Sequence, residues 1–353
     1  MRLVPMESSS CYTKRLSRGC RLCRKGAKMV LLVTGRCGMS CYYCPLSEAK
    51  KGKDVIYANE LLVESDADII KEAEAIGAKG TGITGGDPLM VMDRTIGYIS
   101  LLKKHFGPAH HIHLYTATID RERYLALEKA GLDELRIHPP VETWKDLGPL
   151  HIAEAVAGLD MTVGFEVPAV PGEEQGLIAL CQYAAANGLA FVNLNELEVS
   201  ETNCDALMRR GFTARSDVSS AMKGSEQTAL SVIESAGSEV PLHFCSSSFK
   251  DDVQLRERLK RRAKHVARPM DLVTSEGMIL LGIVDEGGKK AMLLLEKEHG
   301  VPAEMMHYDE KRKRLEVASW VLEDLAPSLP FRCFLVEEYP TADRLEVERE
   351  PLN

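Results

Sequence analysis

Three cysteines near the start of the chain are its strongest chemical signal. They lie in the run Cys37-Gly-Met-Ser-Cys41-Tyr-Tyr-Cys44-Pro. Thiolates are preferred ligands of zinc and of iron–sulfur clusters. A closed zinc site has four ligands, usually as two short pairs, whereas this spacing supplies three and leaves one metal position open. The run predicts an iron–sulfur cluster with a free position, and a zinc knuckle with a distant fourth ligand is the alternative.

The composition indicates a reducing compartment. The chain has 353 residues, ten of them cysteine, and a formal net charge of −8. Residues 1–28 are strongly basic and lack the apolar stretch of a secretory signal, and no apolar run approaches the length of a membrane span. We therefore expect a cytoplasmic protein without a membrane partner, in which clustered thiols bind metal rather than form disulfides.

Short apolar runs alternate with helical patterns along the chain, which indicates strands joined by helices. The cysteine run follows the first of these strands, so a sheet positions it. Residue 65 and residue 68 form a capping box before one such helix. The pattern predicts an α/β fold, a partial or near-complete parallel (β/α) barrel with a small α+β appendage at the C-terminus. The predicted strands are residues 29–34, 80–84, 111–116, 134–138, 162–167, 191–197 and 240–244.

The same pattern divides the chain into four parts. We expect a basic cysteine-containing leader at 1–27, the barrel at 28–250, a basic linking helix at 251–268 and a small α+β domain at 269–353. In the last part, strands are predicted at 278–284, 315–320 and 331–337, with a short helix at 321–325.

A glycine-rich turn follows the second predicted strand. It reads Thr84-Gly85-Gly86-Asp87-Pro88. Glycines let a backbone approach a charged ligand closely, and the exposed N–H and C=O groups can bind an ammonium and a carboxylate. In a barrel, this turn lies at the same mouth as the cysteine run.

Together, the two motifs resemble the radical S-adenosylmethionine (SAM) superfamily. The resemblance rests on the C-x3-C-x2-C spacing, on Tyr43 before the last cysteine, and on Gly85, Gly86, Asp87 and Pro88, where Asp87 replaces the usual Glu. It implies a [4Fe–4S] cluster held by Cys37, Cys41 and Cys44, with SAM on the fourth iron. Reductive cleavage of SAM then yields methionine and a 5′-deoxyadenosyl radical that abstracts hydrogen.

Polar residues at other strand ends are further candidates for this mouth. Thr116 ends strand three beside Tyr115, Glu166 lies in strand five, and Asn193 lies in strand six with Asn195 and Glu196 nearby. We predict that Thr116, Glu166 and Asn193 contact SAM, while a structural hydrogen bond is the alternative for each.

Within that superfamily, the chain resembles an archaeal-type group of radical SAM proteins related to pyruvate formate-lyase activating enzymes. Segments that carry this likeness include 57–60, 80–88, 113–116, 244–247 and 338–341. The group has no established substrate, so the resemblance implies the class of chemistry and leaves the reaction open.

Four other cysteines suggest a second metal site. Cys20 and Cys23 form a C-x2-C pair, Cys11 precedes them, and Cys245 ends the last barrel strand. The hypothesis is zinc or an auxiliary iron–sulfur cluster, and the alternative is free thiols in a flexible leader.

The substrate is predicted to be a macromolecule, RNA or protein. The basic leader and helix favour RNA, although a solvated basic helix is the commoner explanation of such charge. Activation of a glycyl-radical enzyme and a non-enzymatic iron–sulfur or zinc protein are the alternatives. The chemistry also implies a one-electron reductant such as ferredoxin or flavodoxin.

Overall fold

The computed structural model describes residues 2–285 and 287–353. The chain forms two compact units. The first contains the residues up to Glu74 together with Ala78–Leu255, and the second contains Ala75–Gly77 and Arg256–Asn353. No helix among the described residues is long and apolar enough to cross a membrane.

The first unit alternates strands and helices along most of its length. Its elements are β1 (Leu3–Pro5), β2 (Cys11–Thr13), α1 (Arg18–Cys23), β3 (Lys28–Leu32), β4 (Tyr57–Ala58), β5 (Leu61–Leu62), α2 (Asp66–Ala75), β6 (Gly80–Thr84), α3 (Met92–Phe106), β7 (His111–Thr116), α4 (Arg121–Ala130), β8 (Glu134–Ile137), α5 (Ile152–Val156), β9 (Thr162–Ala169), α6 (Glu174–Ala186), β10 (Val192–Glu196), α7 (Cys204–Met208), α8 (Ser225–Ala236), β11 (Leu242–Cys245) and α9 (Ser247–Phe249).

These strands form one sheet of 11 strands in the order β1-β2-β11-β10-β9-β8-β7-β6-β3-β4-β5. The run from β3 through β11 is parallel, with helical crossovers. The antiparallel pairs β1–β2 and β4–β5 extend its two ends. The predicted partial barrel is confirmed, and each predicted barrel strand overlaps an observed one.

Local signals account for the ends of several helices. Half of the predicted capping box is present, because Ser65 N donates to Asp68 Oδ2 at 2.8 Å. The other half is absent, since Ser65 Oγ donates to the same oxygen at 3.0 Å and Asp68 N donates to the Ser65 carbonyl instead. At α4, the side chain of Asp120 accepts from Arg123 N, and Gly131 closes the helix in the left-handed conformation.

The basic leader is folded into the first unit, which the sequence did not predict. Strand β2 pairs with β11, and the Ser17 side chain caps α1. A Cβ atom on Gly19 would lie 2.3 Å from Arg136 Nη2, so α1 rests directly on the polar face of the sheet. Three-residue strands and a six-residue helix are too short to give a periodic pattern, which is why sequence analysis missed them.

The second unit is a small α+β domain. It contains α10 (Arg256–Val266), β12 (Leu272–Val273), β13 (Ile279–Val284), α11 (Gly288–Glu298), β14 (Met306–Asp309), β15 (Arg314–Val317), α12 (Ser319–Leu325), β16 (Cys333–Glu338) and β17 (Glu346–Pro351). Its sheet runs β14-β15-β13-β16-β17, with β12 on β13. Leu295 of α11 and Leu322 of α12 join the buried core with Val317. Trp320, predicted at the end of a strand, lies instead in α12.

Candidate functional site

The predicted cluster ligands lie on one loop after β3. Cys37 is exposed, whereas Cys41 and Cys44 are half-buried. The backbone folds the loop into a turn, because Cys44 N donates to the carbonyl of Cys41 at 3.2 Å. Burial raises the pKa of the Cys37 thiol, and the charges of Cys41 and Cys44 contribute to the same rise. The three thiols therefore share one short folded loop, as ligands of one cluster must.

Tyr43 attaches this loop to the far strands of the sheet. Its hydroxyl lies 3.0 Å from His138 Nε2, and His138 Nδ1 lies 2.8 Å from the carbonyl oxygen of Glu166. The Tyr43 carbonyl accepts from Asn203 Nδ2 at 3.1 Å. Burial raises the pKa of Tyr43, so its hydroxyl is neutral. His138 thus positions the cysteine loop through a residue between two of the cysteines.

The glycine turn lies against the base of the cysteine loop. A Cβ atom on Gly86 would lie 2.2 Å from the carbonyl oxygen of Arg36, and one on Gly85 would lie 2.5 Å from that of Thr34. Gly86 N and Asp87 N donate to the carbonyls of Thr34 and Arg36, both at 2.8 Å. Two backbone segments can approach so closely only where side chains are absent. The two predicted motifs are therefore in direct contact.

Asp87 binds protein donors with both carboxylate oxygens. Oδ1 accepts from Leu89 N and Thr116 Oγ1, at 3.0 and 2.7 Å. Oδ2 accepts from Ala117 N, Thr118 N and Thr118 Oγ1, at 3.2, 3.1 and 2.8 Å. The side chain is only 2% exposed. These bonds join the turn after β6 to the end of β7, and direct contacts of Asp87 and Thr116 with SAM stay predictions.

Glu166 is the centre of a buried polar network. It accepts from Arg136 Nη1 at 2.6 Å, from Asn193 Nδ2 at 2.8 Å and from Asn195 Nδ2 at 2.9 Å. Burial alone raises the pKa of this carboxyl, but the charge of Arg136 and the hydrogen bonds bring it below its ordinary value. Glu166 is therefore an oriented carboxylate, and its predicted contact with SAM ribose hydroxyls stays a prediction.

Arg136, the cation of this network, is a residue that the sequence did not indicate. Arg136 also donates to Glu134 Oε1, to the Tyr115 hydroxyl at 3.0 Å and to Ser17 Oγ at 3.1 Å. One sequence feature could have indicated this residue: in β8 the charged Glu134 and Arg136 alternate with the apolar Leu135 and Ile137. Alternation places the two charges on one face of the sheet, but only the strand pairing shows that Glu166 lies opposite.

The four cysteines of the predicted second site do not all share one face of the sheet. Cys20 accepts from Asn193 Nδ2 at 3.3 Å, and Cys245 pairs in the sheet with Asn195, whose side chain donates to Glu166, so Cys20 and Cys245 lie on the same face. Cys11 pairs with Phe244 in the sheet, next to the pair of Tyr12 and His243. Because side chains alternate along a strand, Cys11 points to the opposite face from Cys245. Its inclusion with the other three is therefore wrong.

Cys20, Cys23 and Cys245 are the members of the predicted second site that remain. Within residues 2–285 and 287–353, no three or more His, Cys, Asp or Glu side chains are arranged to hold a single metal ion. A site formed by Cys20, Cys23 and Cys245 stays a prediction. All three thiols have raised pKa values, first because of burial, so they are neutral in this arrangement.

A cleft of about 420 Å³ opens beside the cysteine loop. It is bordered by Tyr42 of that loop and by residues that follow β8, β9 and β10, at the barrel mouth. The Tyr42 ring stacks on Phe212 at a centroid distance of 6.4 Å, and Arg210 lies 4.0 Å from its centroid. The other lining residues are Val141, Glu142, Lys145, Val170, Pro171 and Glu173.

The donor set fits the predicted cofactors. Three thiols on one loop supply three corners of a [4Fe–4S] cluster. The Gly85-Gly86 backbone packs directly against the base of that loop, and the N–H groups of Gly86 and Asp87 already bind the carbonyls of Thr34 and Arg36, so contact with SAM at this turn falls to its carbonyl groups. Cys37, Cys41 and Cys44 would hold the cluster, and the glycine turn would bind SAM.

Comparison with known proteins supports the same chemistry. The radical SAM superfamily model matches residues 31–158, and a domain of unknown function (DUF8061) matches residues 277–352. A protein of Methanocaldococcus jannaschii with the provisional name glycyl-radical enzyme activating enzyme is 40% identical over 357 residues, which cover 96% of this chain and 93% of the relative.

Solved structures give more distant likenesses. Streptococcus suis SuiB bound to SAM aligns with a TM-score of 0.43 and 11% identity, over 64% of this chain and 53% of SuiB, so the chain spans about half of that structure. Methylornithine synthase PylB aligns with a TM-score of 0.41 and 15% identity, over 65% of this chain and 72% of PylB. HydG, a maturase of the [FeFe]-hydrogenase, aligns with a TM-score of 0.42 and 12% identity, over 71% of this chain and 69% of HydG.

The identity to the archaeal relative extends over nearly the whole chain, and the superfamily match includes both the cysteine loop and the glycine turn. This protein belongs to the radical SAM superfamily.

Proposed function

We propose that this radical SAM enzyme acts on a protein, and that a segment of the substrate polypeptide enters the cleft beside Tyr42. When bound, the cluster and SAM supply methionine and a 5′-deoxyadenosyl radical after transfer of one electron. Abstraction of a hydrogen atom from a substrate C–H bond then gives 5′-deoxyadenosine and a carbon-centred radical on the substrate. Activation of a glycyl-radical enzyme is the narrower form of this proposal, and the name of the archaeal relative supports it.

The composition of the cleft is the observation that carries the proposal. Its charged lining residues are two acids, Glu142 and Glu173, and two bases, Lys145 and Arg210, and its walls include Val170. RNA sites are instead strongly positive, because phosphates must be neutralised. A balanced, partly apolar cleft suits a polypeptide with mixed side chains.

The aromatic residues of the cleft also favour protein over RNA. Proteins bind single-stranded RNA partly by stacking its bases on the free faces of aromatic side chains. The Tyr42 ring has the guanidinium of Arg210 and the ring of Phe212 stacked against it. One face of the Tyr42 ring is therefore already covered by Arg210 and is closed to a base.

The basic helix, which first suggested RNA, is largely engaged within its own unit. Arg268 pairs with Asp271 and Glu316, Arg256 lies 3.8 Å from Glu276, and Lys260 lies 3.7 Å from Glu257. Paired cations have less charge available for phosphates. The second unit therefore gives the RNA hypothesis no specific support.

The test is anaerobic reconstitution with iron, sulfide, SAM and dithionite, followed by measurement of 5′-deoxyadenosine. Soluble extract of the source organism is added after treatment with protease or with nuclease. We expect stimulation that protease abolishes and nuclease spares, together with a glycine-centred electron paramagnetic resonance signal in the stimulating protein if activation is the reaction. Stimulation lost only with nuclease would refute the proposal, and absence of SAM cleavage under every condition would refute the activity itself.

The location of the substrate can be tested with a bulky substitution. Val141 is half-buried in the cleft, so Val141→Trp should fill it and reduce the protein-stimulated rate about tenfold, equivalent to about 1.4 kcal/mol of binding. Leu125→Trp, at an exposed position of α4, is the matched control. Equal rates in the two variants would place the substrate elsewhere.

A further inference from the structure

The turn at residues 50–53 is hydrogen-bonded to the residues that begin the cysteine loop. Gly52 N donates to the carbonyl of Gly35, and Gly35 N donates to the carbonyl of Lys53, both at 2.8 Å. A Cβ atom on Gly35 would lie 1.6 Å from the carbonyl oxygen of Lys50, so the two segments are in direct backbone contact. Whatever binds this turn is held within two residues of the start of the Cys37–Cys44 run.

The turn and its neighbour present a group of cations. Arg36, Lys51 and Lys53 are exposed, and the half-buried Lys50 lies 4.7 Å from the centroid of the Tyr57 ring. We call these four basic residues, Arg36, Lys50, Lys51 and Lys53, the lysine patch.

Nearby acids only partly neutralise this charge. Asp54 pairs with Arg94 at 2.6 Å and lies 3.9 Å from Arg36, so its charge is shared between two cations. Glu48 is exposed in the same loop, and Glu201 Oε1 accepts from its backbone N–H at 2.8 Å. Positive charge still predominates on the turn itself, although the chain as a whole has a net charge of −8.

The patch is adjacent to the most exposed of the three cysteines. Cys37 directly follows Arg36, whereas Cys41 and Cys44 are half-buried. The lysine patch therefore adjoins, in sequence and through the backbone contacts of Gly35, the most exposed of the three thiols.

From this placement we infer that the lysine patch is the docking surface of an acidic one-electron carrier protein. The inference rests on the SAM-cleaving activity of the proposed function. The reduced carrier is oxidised by one electron, which enters at the Cys37 side of the loop and is consumed when the sulfonium C–S bond of SAM breaks. Complementary charge would steer the encounter and favour a short-lived complex, as suits a carrier that must leave after each electron.

Binding of purified flavodoxin tests the surface without relying on turnover. Isothermal titration at low salt compares the parent with Lys51→Glu/Lys53→Glu, and with the control Lys71→Glu/Lys104→Glu, which makes the same charge change at exposed positions of α2 and α3. We expect the Kd to rise about tenfold or more in the first variant only, and the difference to shrink as salt increases. Equal affinities in both variants, or equal losses, would overturn the inference.

A second measurement separates docking from chemistry. Each protein is reconstituted, and 5′-deoxyadenosine is measured with dithionite and, separately, with reduced flavodoxin. We expect the flavodoxin-to-dithionite ratio to fall in Lys51→Glu/Lys53→Glu and to stay at the parent value in the control. An unchanged ratio would refute docking at the patch, whereas absence of product with dithionite would refute the proposed function and leave the titration to decide on the surface.

Discussion

Removal of the Asp87 carboxylate tests whether this residue positions the turn or binds the cofactor. Two of its donors, Leu89 N and Thr116 Oγ1, are buried, and three others lie in half-buried surroundings. Hydrogen bonds to charged groups contribute about 1.5–3 kcal/mol each. Water can replace part of the half-buried bonds, so we count the two buried ones. Asp87→Ala should then lower the free energy of unfolding by about 3–6 kcal/mol.

Asp87→Asn should lower the free energy of unfolding less than Asp87→Ala does. The amide oxygen can take the place of Oδ2 and keep the bonds from Ala117 and Thr118, while the Thr116 hydroxyl rotates to accept from the amide NH2. Leu89 N and the hydroxyl hydrogen of Thr116 then lose their acceptor, and the buried N–H alone costs about 1–3 kcal/mol. The bonds kept at the position of Oδ2 leave the total cost below that of Asp87→Ala. The expected order of stability is parent, Asn variant, Ala variant.

The assay is denaturant unfolding of the cofactor-free protein, followed by the fluorescence of Trp144. This residue is fully buried in the first unit, and a Trp320→Phe background removes the signal of the second unit. Asp120→Ala, which removes the cap of α4, is the control and should cost about 1 kcal/mol. If Asp87→Ala unfolds at the parent midpoint but loses SAM affinity, the carboxylate binds the cofactor directly and our reasoning fails.

Two further predictions concern pH and metal content. Burial lowers the pKa of His110 and of His243 to about 4 in the folded protein, whereas the unfolded chain protonates near pH 6.5, so stability is fully present above pH 6.5 and should fall as the pH drops toward 4. His243→Gln should flatten this dependence in unfolding titrations, and a parent whose stability is constant between pH 7 and 5 would contradict the argument. Cys41→Ala should lose nearly all cluster iron in reconstituted protein, whereas Cys181→Ala, in the buried core, should retain it. Combined iron and zinc should also fall in Cys20→Ala, and unchanged metal content would reject a second site there.

Much of the fold and the class of chemistry could be predicted because their signals are local. The cysteine spacing and the glycine turn each occupy fewer than ten residues, and contiguous apolar runs mark the barrel strands. The helix after residue 65, observed at Asp66–Ala75, could be predicted for the same reason, since a helix cap and hydrophobic periodicity are properties of a short window. The leader strands were missed, because a three-residue strand is defined only by the distant strand with which it pairs.

The sequence by itself determined that three thiols share one loop and that a glycine turn follows the next parallel strand. Only the tertiary structure decided which polar groups meet: Arg136 between two carboxylates, Asp87 across the end of β7, and Cys11 on the opposite face from Cys245. Alternation along a strand tells which residues share a face, but not which face of a neighbouring strand they meet. That depends on register between segments about 30 to more than 200 residues apart, and no local pattern encodes it.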